Sequence, residues 1–356
     1  SFRGIDQAIW IVGELNHPCV LELLIKLLSD GTSHWTLDET VEALGKIRDK
    51  RGIKPLISKL DHESWSVRNK TAWALDKLQW EPPNDGLRVK YLIAKLKQEN
   101  GGIKNNGTIS CYDTKNKEEI ENIAKYEMGV KSLIQQLEKQ NWIACVLVKI
   151  GEPAVKPLIE TIGKRFSLNV RSSVDPILSI LSVIGGNQAL ETLIEKAENN
   201  NKYAITALGN NGDKRSIETL MKLLEPLSKK KEIDDNTHCF EIISSLEKRG
   251  YVNATKPIIQ IIKNCENYPL QAIEALGKIG TSDAIEPLFQ LFNTKGSRSG
   301  QVSLIAWHAL EKLKERSVIT KETLLPVLKM SLETNNNNTI TIYKARKRKT
   351  IEISEY

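Results

Sequence analysis

Apolar positions recur along the chain in one seven-residue phrase. It consists of a charged residue, usually a small residue or proline, two apolar residues, two mostly polar residues and a final apolar one. The phrase reads ELLIKLL at 22–28, KPLISKL at 54–60, KYLIAKL at 90–96, KSLIQQL at 131–137 and KPLIETI at 156–162. It continues as ETLIEKA at 191–197, ETLMKLL at 218–224, KPIIQII at 256–262 and EPLFQLF at 286–292. Start-to-start intervals run from 25 to 41 residues, with a mean of 33. A period of that size marks a helical repeat array.

Within each phrase the third, fourth and seventh positions are apolar, as in Leu56, Ile57 and Leu60. That spacing places them on one face of a helix. Pro55, Pro157, Pro257 and Pro287 take the second position, where a first helical turn has no use for the missing N–H. A second helix precedes several phrases and closes on glycine: VEALGKI at 41–47, ITALGNN at 205–211 and IEALGKI at 273–279. Gly45, Gly209 and Gly277 are expected to be left-handed caps that stop these helices, with Ser282-Asp283 supplying a turn and the next N-cap. Each unit is thus helix, turn, helix. Two helices of about 12 residues share a core only when such pairs stack. The expected fold is all-α, a right-handed α-solenoid (superhelix) of stacked antiparallel helix pairs, with about nine repeats over residues 1–331. No β-α-β rhythm occurs before residue 338, which disfavours a doubly wound sheet.

The array is interrupted. Residues 97–117 carry three glycines and little apolar periodicity, so they are expected to form a surface loop inserted between units. Residues 226–238 and 293–301 read as shorter loops. Residues 332–356 read as a polar linker and a basic C-terminal tail or hairpin. There Thr339–Tyr343 and Thr350–Ser354 alternate β-branched and polar residues, which favours strands. A β-hairpin is expected, with Ile340 and Ile342 on the same face as Ile351 and Ile353 and the cations at its tip.

The chain has 356 residues, of which 27% are charged and 40% hydrophobic, as in ordinary folded proteins. No apolar run approaches the ~18 residues that cross a bilayer, which excludes a transmembrane helix. The chain opens at Ser1 inside an apolar helical pattern (Phe2, Ile5, Ile9, Trp10), as a trimmed fragment would, and no basic-then-apolar signal segment is visible. Cys19, Cys111, Cys145, Cys239 and Cys265 are odd in number and far apart, with no C-x-x-C pair. They read as buried, reduced thiols, which suits the cytoplasm.

LGKIGTSDAIEPLFQLF at 276–292 and IGEPAVKPLIETI at 150–162 resemble the HEAT repeat family, specifically its PBS-lyase-like subtype. Val67-Arg68 and Val170-Arg171 resemble the pair that opens a first helix in such repeats, and stretch 65–94 resembles a linker of prokaryotic members. The resemblance spans roughly residues 5–330. It implies a helical-pair solenoid, and functions ranging from scaffolds to lyases.

Candidate chemistry is sparse. His62-Glu63 is the only His-Glu dipeptide. The HEAT-like di-iron enzyme deoxyhypusine hydroxylase uses several such pairs, so His62-Glu63 reads as a helix-end turn. There is no P-loop, G-x-S-x-G or G-x-G-x-x-G. No cofactor, metal or catalytic residue is implied. A bilin lyase would line a groove with aromatic and polar groups. Trp73 and Trp80 are seven residues apart on one helical side and read as core.

The outward ridge of the phrase helices begins with Glu22, Lys54, Lys90, Lys131, Lys156, Glu191, Glu218, Lys256 and Glu286. Together with the fifth positions it carries a net charge of only +1 over 18 positions. A phosphate-tracking groove would be one-signed, so nucleic acid is disfavoured. A protein partner is expected on Lys54, Lys90, Lys131, Lys156, Glu191, Glu218, Lys256 and Glu286. The cationic excess, +7 overall, gathers at Lys344, Arg346, Lys347, Arg348 and Lys349 and at Lys229–Lys231. The first cluster is a candidate anion-binding tail, although solvated charge is the commoner role. The expected function is a non-catalytic protein–protein scaffold or regulatory segment. A bilin (tetrapyrrole) lyase or pigment-protein chaperone is the alternative, and a nucleic-acid-binding solenoid the third.

Overall fold

The computed structural model describes residues 9, 11, 20–29, 34–97, 101–104, 106–111, 116–137, 140–162, 175–230, 238–265, 270–292, 299–320, 322–323, 339–344 and 347–352. Cys19, the pair Val170-Arg171, the stretch 332–338, Arg346 and Ile353 therefore lie outside the described residues, as do Lys231 and most of 293–301. The chain divides into two compact units, residues 1–189 and 190–356.

In the first unit the helices are α1 (Leu21–Ser29), α2 (His34–Ile47), α3 (Ile53–Ile57), α4 (Trp65–Lys77), α5 (Asp85–Lys95), α6 (Lys117–Ile123), α7 (Glu127–Gln136), α8 (Ile143–Ile150), α9 (Glu152–Ile159) and α10 (Pro176–Ile184). A short hairpin, β1 (Gly101–Ile103) and β2 (Ile109–Cys111), lies between α5 and α6. Odd-numbered helices carry the phrase and even-numbered ones are their partners. Even helices stack on even ones (α2 on α4, α6 on α8, α8 on α10), and α5, α7 and α9 stack likewise. The unit is a two-layered α-solenoid.

Helix α11 (Asn187–Glu198) crosses the division. The second unit contains α12 (Lys202–Asn210), α13 (Lys214–Ser228), α14 (Cys239–Lys248), α15 (Thr255–Asn264), α16 (Leu270–Ile279), α17 (Ile285–Phe292) and α18 (Ser299–Glu315). Its even helices α12, α14, α16 and α18 pack in series, and α13 packs on α15.

The inward face follows the expected register. The third phrase position is buried in every phrase except 90–96, where Leu92 is half-buried. Leu24, Leu56, Leu158, Leu193 and Leu220 are at most 1% exposed. Asn84, Asp175, Asn201 and Asp213 cap α5, α10, α12 and α13 by accepting from backbone N–H groups of the first turn, which satisfies donors that a helix start leaves unpaired.

Three local expectations are corrected. Gly45, Gly209 and Gly277 lie within α2, α12 and α16 in ordinary helical conformation. Each marks a close approach between successive even helices. A Cβ at Gly45 would lie 2.7 Å from Trp73 Cζ3 and 2.9 Å from Ala74 Cα. At Gly209 it would lie 2.5 Å from Ser245 Cβ, and at Gly277 2.7 Å from Ala309 Cα. Glycine caps with positive φ do occur, at Gly151 (φ 73°) and Gly185 (φ 71°), which end α8 and α10 in a conformation that L side chains rarely adopt. Pro157 stands inside α9 rather than in its first turn, because Glu152-Pro153 already opens the helix. Ser282–Ala284 forms a 3₁₀ turn with Thr281 at its start and no side-chain cap.

The insertion at 97–117 was expected as a loop. Instead β1 and β2 pair antiparallel, with Gly101 opposite Cys111 and Ile103 opposite Ile109. The hairpin packs on α8, and β2 also reaches α10. At the C-terminus β3 (Thr339–Lys344) pairs with β4 (Lys347–Glu352), with Ile340 opposite Ile351 and Ile342 opposite Lys349. The expected C-terminal hairpin is present.

Candidate functional site

The charged ridge is the candidate site, and the phrase helices of each unit present it. In the first unit Lys54, Lys90, Lys131 and Lys156 are exposed. In the second, Glu191, Glu218 and Lys256 are exposed and Glu286 is half-exposed. They are outward because the apolar position two places on, buried or half-buried in each phrase, fixes the helix rotation.

Several ridge charges are neutralised between neighbouring repeats. Lys90 Nζ lies 2.5 Å from Asp61 Oδ2. Lys131 Nζ lies 2.6 Å from Glu127 and 3.2 Å from Glu160. Hydrogen bonding with Lys131 holds the Glu127 carboxyl below its usual value, while Glu127 and then Glu160 raise the Lys131 ammonium. In the second unit Lys256 Nζ stands 3.9 Å from Asp283, and Glu218 lies 3.3 Å from Lys214. Exposed pairs of this kind contribute little stability, because water screens them. Their effect is on the field, since Asp61 and Glu160 offset the charge of Lys90 and Lys131 within the first unit.

The aromatic candidates separate. Trp65 donates from Nε1 to the Leu96 carbonyl at 2.9 Å. Trp73 was expected in the core but is 36% exposed, although its ring approaches Gly45 of α2 so closely that a Cβ there would lie 2.7 Å from Cζ3. Lys77 Nζ sits 5.5 Å from its ring centre. Trp80 meets Tyr91 edge-on at 5.7 Å, and Lys95 Nζ stands 5.3 Å from the Tyr91 ring. Tyr91 donates to Asp76, and burial, then Asp76, raises its pKa.

His62 and Glu63 lie in the non-helical link between α3 and α4. His62 Nδ1 accepts from the Ser64 N–H at 3.1 Å. Arg68, only 7% exposed, donates to the carbonyls of His62 at 2.7 Å and Glu63 at 3.0 Å and to Gln136 Oε1 at 3.4 Å. Burial lowers the Arg68 pKa. Among the described residues no group of three or more His, Cys, Asp or Glu side chains is placed to hold a metal.

At the basic segment, β3 and β4 set Lys344 opposite Lys347 in register and carry Arg348 and Lys349 in β4. Lys229 and Lys230 follow α13 and are exposed.

Two features escaped sequence reasoning. Arg249 donates from Nε to the Gly209 carbonyl at 2.8 Å, and Arg316 from Nη1 to the Gly280 carbonyl at 3.0 Å. Both arginines follow an even helix and reach back to the end of the preceding one; the parallel KRG and ERS contexts were the available signal. The second feature corrects the reading of five reduced thiols. Cys111 and Cys145 are disulfide-bonded with Cα atoms 5.5 Å apart, because the hairpin carries Cys111 onto α8. Cys239 and Cys265 are free.

The model of HEAT repeats matches residues 6–76. That of the PBS lyase HEAT-like repeat matches residues 202–226 and 270–293. These three segments match HEAT repeats. The matched segments of the second unit contain Gly209 and Gly277, so the glycine contacts between even helices belong to its HEAT units. No curated protein matches the sequence. Two crystal structures of engineered proteins are similar to this chain: one at 16% identity over 87% of this chain and 95% of that one, with a TM-score of 0.33, the other at 18% over 83% and 96%, with a TM-score of 0.19. Among the described residues no helix is long and apolar enough to cross a membrane.

Proposed function

We propose that this HEAT-repeat chain is a non-catalytic scaffold or regulatory segment that binds a protein partner on the ridge of its phrase helices. The observation that carries the reading is the ridge itself: charged residues of both signs held outward at one register position in successive repeats, on helices rigidly packed from behind. Such a surface adds many modest contacts with little ordering cost on binding. Its mixed sign suits a polypeptide better than a phosphate backbone. HEAT repeats in general mediate protein interactions. The location that goes with this reading is the cytoplasm, where a disulfide is usually transient or redox-sensing.

The test is capture from the source cells by the wild-type chain and by a variant with Lys54→Glu, Lys156→Glu and Glu191→Lys. The reading expects a discrete protein partner that the variant loses. Undiminished capture by the variant would move the site off the ridge. Visible pigment absorption on the purified chain would favour the bilin-type alternative, and binding that falls steeply with salt and requires nucleic acid would favour the third.

A further inference from the structure

The inserted hairpin is attached to the first unit by three different devices. Asn116, 1% exposed, accepts from the Lys97 N–H at 2.6 Å and donates to the Lys97 carbonyl at 2.8 Å. Asn141 does the same to Ile103, at 3.0 Å in each direction. Each asparagine therefore pairs with both backbone groups of one residue, as a neighbouring strand would. These contacts hold the entrance of the insertion and β1. The third device holds β2: the Cys111–Cys145 bond. β1 is built to lie flat beneath it, since a Cβ at Gly101 would fall 2.2 Å from the Ser110 carbonyl and 3.0 Å from Cys145 Sγ, and one at Gly102 2.8 Å from the Asn141 side chain.

The two ends of the bond differ. Cys111 is exposed at the end of β2, whereas Cys145 is fully buried in α8. The buried sulfur also has an alternative partner, the Ser110 carbonyl 3.3 Å away. A Cys145 thiol could donate there, so reduction would not leave it orphaned.

We propose that Cys111–Cys145 is a thiol–disulfide exchange site for low-molecular-weight thiols, and that it latches β2 onto α8. The incoming thiolate attacks Cys111 Sγ and the Cys111–Cys145 bond breaks. Cys145 leaves as a thiolate and takes a proton from solvent. A second small thiol then attacks the mixed disulfide, releasing Cys111 as a thiol and the small molecule as its own disulfide. Two thiols are oxidised and one protein disulfide is reduced. The polar clamps at Asn116 and Asn141 persist, so β2 is freed while β1 and α8 stay in place.

The experiment uses the full chain and glutathione under native conditions, with peptide mapping of the mixed disulfide and amide hydrogen exchange as readouts. The expected adduct is on Cys111 and not on Cys145. Exchange in 106–111 should rise at least tenfold on reduction while α8 keeps its protection. Cys111→Ser, a change at an exposed site, should show the same pattern without any thiol. Three results overturn the proposal: free thiols at both positions in the air-oxidised protein, reduction only when the first unit unfolds, or unchanged exchange at 106–111 in both the reduced chain and Cys111→Ser.

Discussion

Gly277 of α16 rests against Ala309 of α18, and a Cβ at position 277 would lie 2.7 Å from the Ala309 Cα and 3.0 Å from its Cβ. The same relation joins Gly45 to Ala74 and Gly209 to Ser245. Small-on-small contact sets how closely successive even helices approach. Adding a methyl there forces backbone apart rather than a side chain aside. Gly277→Ala is therefore expected to destabilise by about 1–3 kcal/mol, even though alanine favours helix. Gly212, where a Cβ would meet nothing within 4 Å, should tolerate alanine within about 0.5 kcal/mol. Urea denaturation of the two variants decides the matter; equal effects would mean that α16 and α18 are not packed through this glycine.

Much of this fold was legible because helix burial repeats with a fixed period. The phrase placed Leu158 inside and Lys156 outside, and both are so. The glycines were visible but misread: a sequence shows a glycine near a helix end, not the neighbouring helix pressed against it. The disulfide was illegible for a related reason. Cys111 lies in an aperiodic insertion 34 residues from Cys145, and only the hairpin's own folding brings them together. The ridge could be read as outward-facing, but its pairing of Lys90 with Asp61 and of Lys131 with Glu160 crosses repeats and depends on their stacking.

Leu158 is 0% exposed at the centre of its repeat. Leu158→Ala should cost about 2–5 kcal/mol, and Lys156→Ala on the same helix no more than about 0.5 kcal/mol. A reversed ranking in chemical denaturation would refute the helix rotation that defines the ridge.

Arg316 donates to the Gly280 carbonyl at the end of α16, and Arg249 to that of Gly209 in α12. Replacing either by alanine leaves a helix-end carbonyl without its charged donor, at an expected cost of about 1.5–3 kcal/mol, the range for hydrogen bonds to charged groups. Thermal melts of Arg249→Ala and Arg316→Ala check this, and unchanged midpoints in both would show that the inter-repeat bond is dispensable.

Cys239 is 1% exposed, and burial, with smaller effects from Cys265 and Glu241, pushes its thiol up to about 12. An unfolded cysteine ionises near about 8.5. Below that pH both states hold the proton and this group adds no pH dependence. Between about 8.5 and 12 the unfolded chain loses its proton first, so stability should fall as pH rises. Denaturation midpoints at pH 8 and 10 should differ less in Cys239→Ala than in the wild type. Native Cys239 should also resist iodoacetamide at pH 9; rapid alkylation there without unfolding would contradict the burial.

The central claim, that the phrase-helix ridge meets a protein partner, is tested most directly by site-specific photo-crosslinking in the source cells. A photoreactive residue is placed in turn at Lys54, Lys156 and Glu191 on the ridge, and at the exposed Lys77 on the even-helix layer. The ridge positions are predicted to give the same discrete protein adduct, and Lys77 none. Adducts confined to Lys77, or ridge adducts that consist of nucleic acid, would contradict the account.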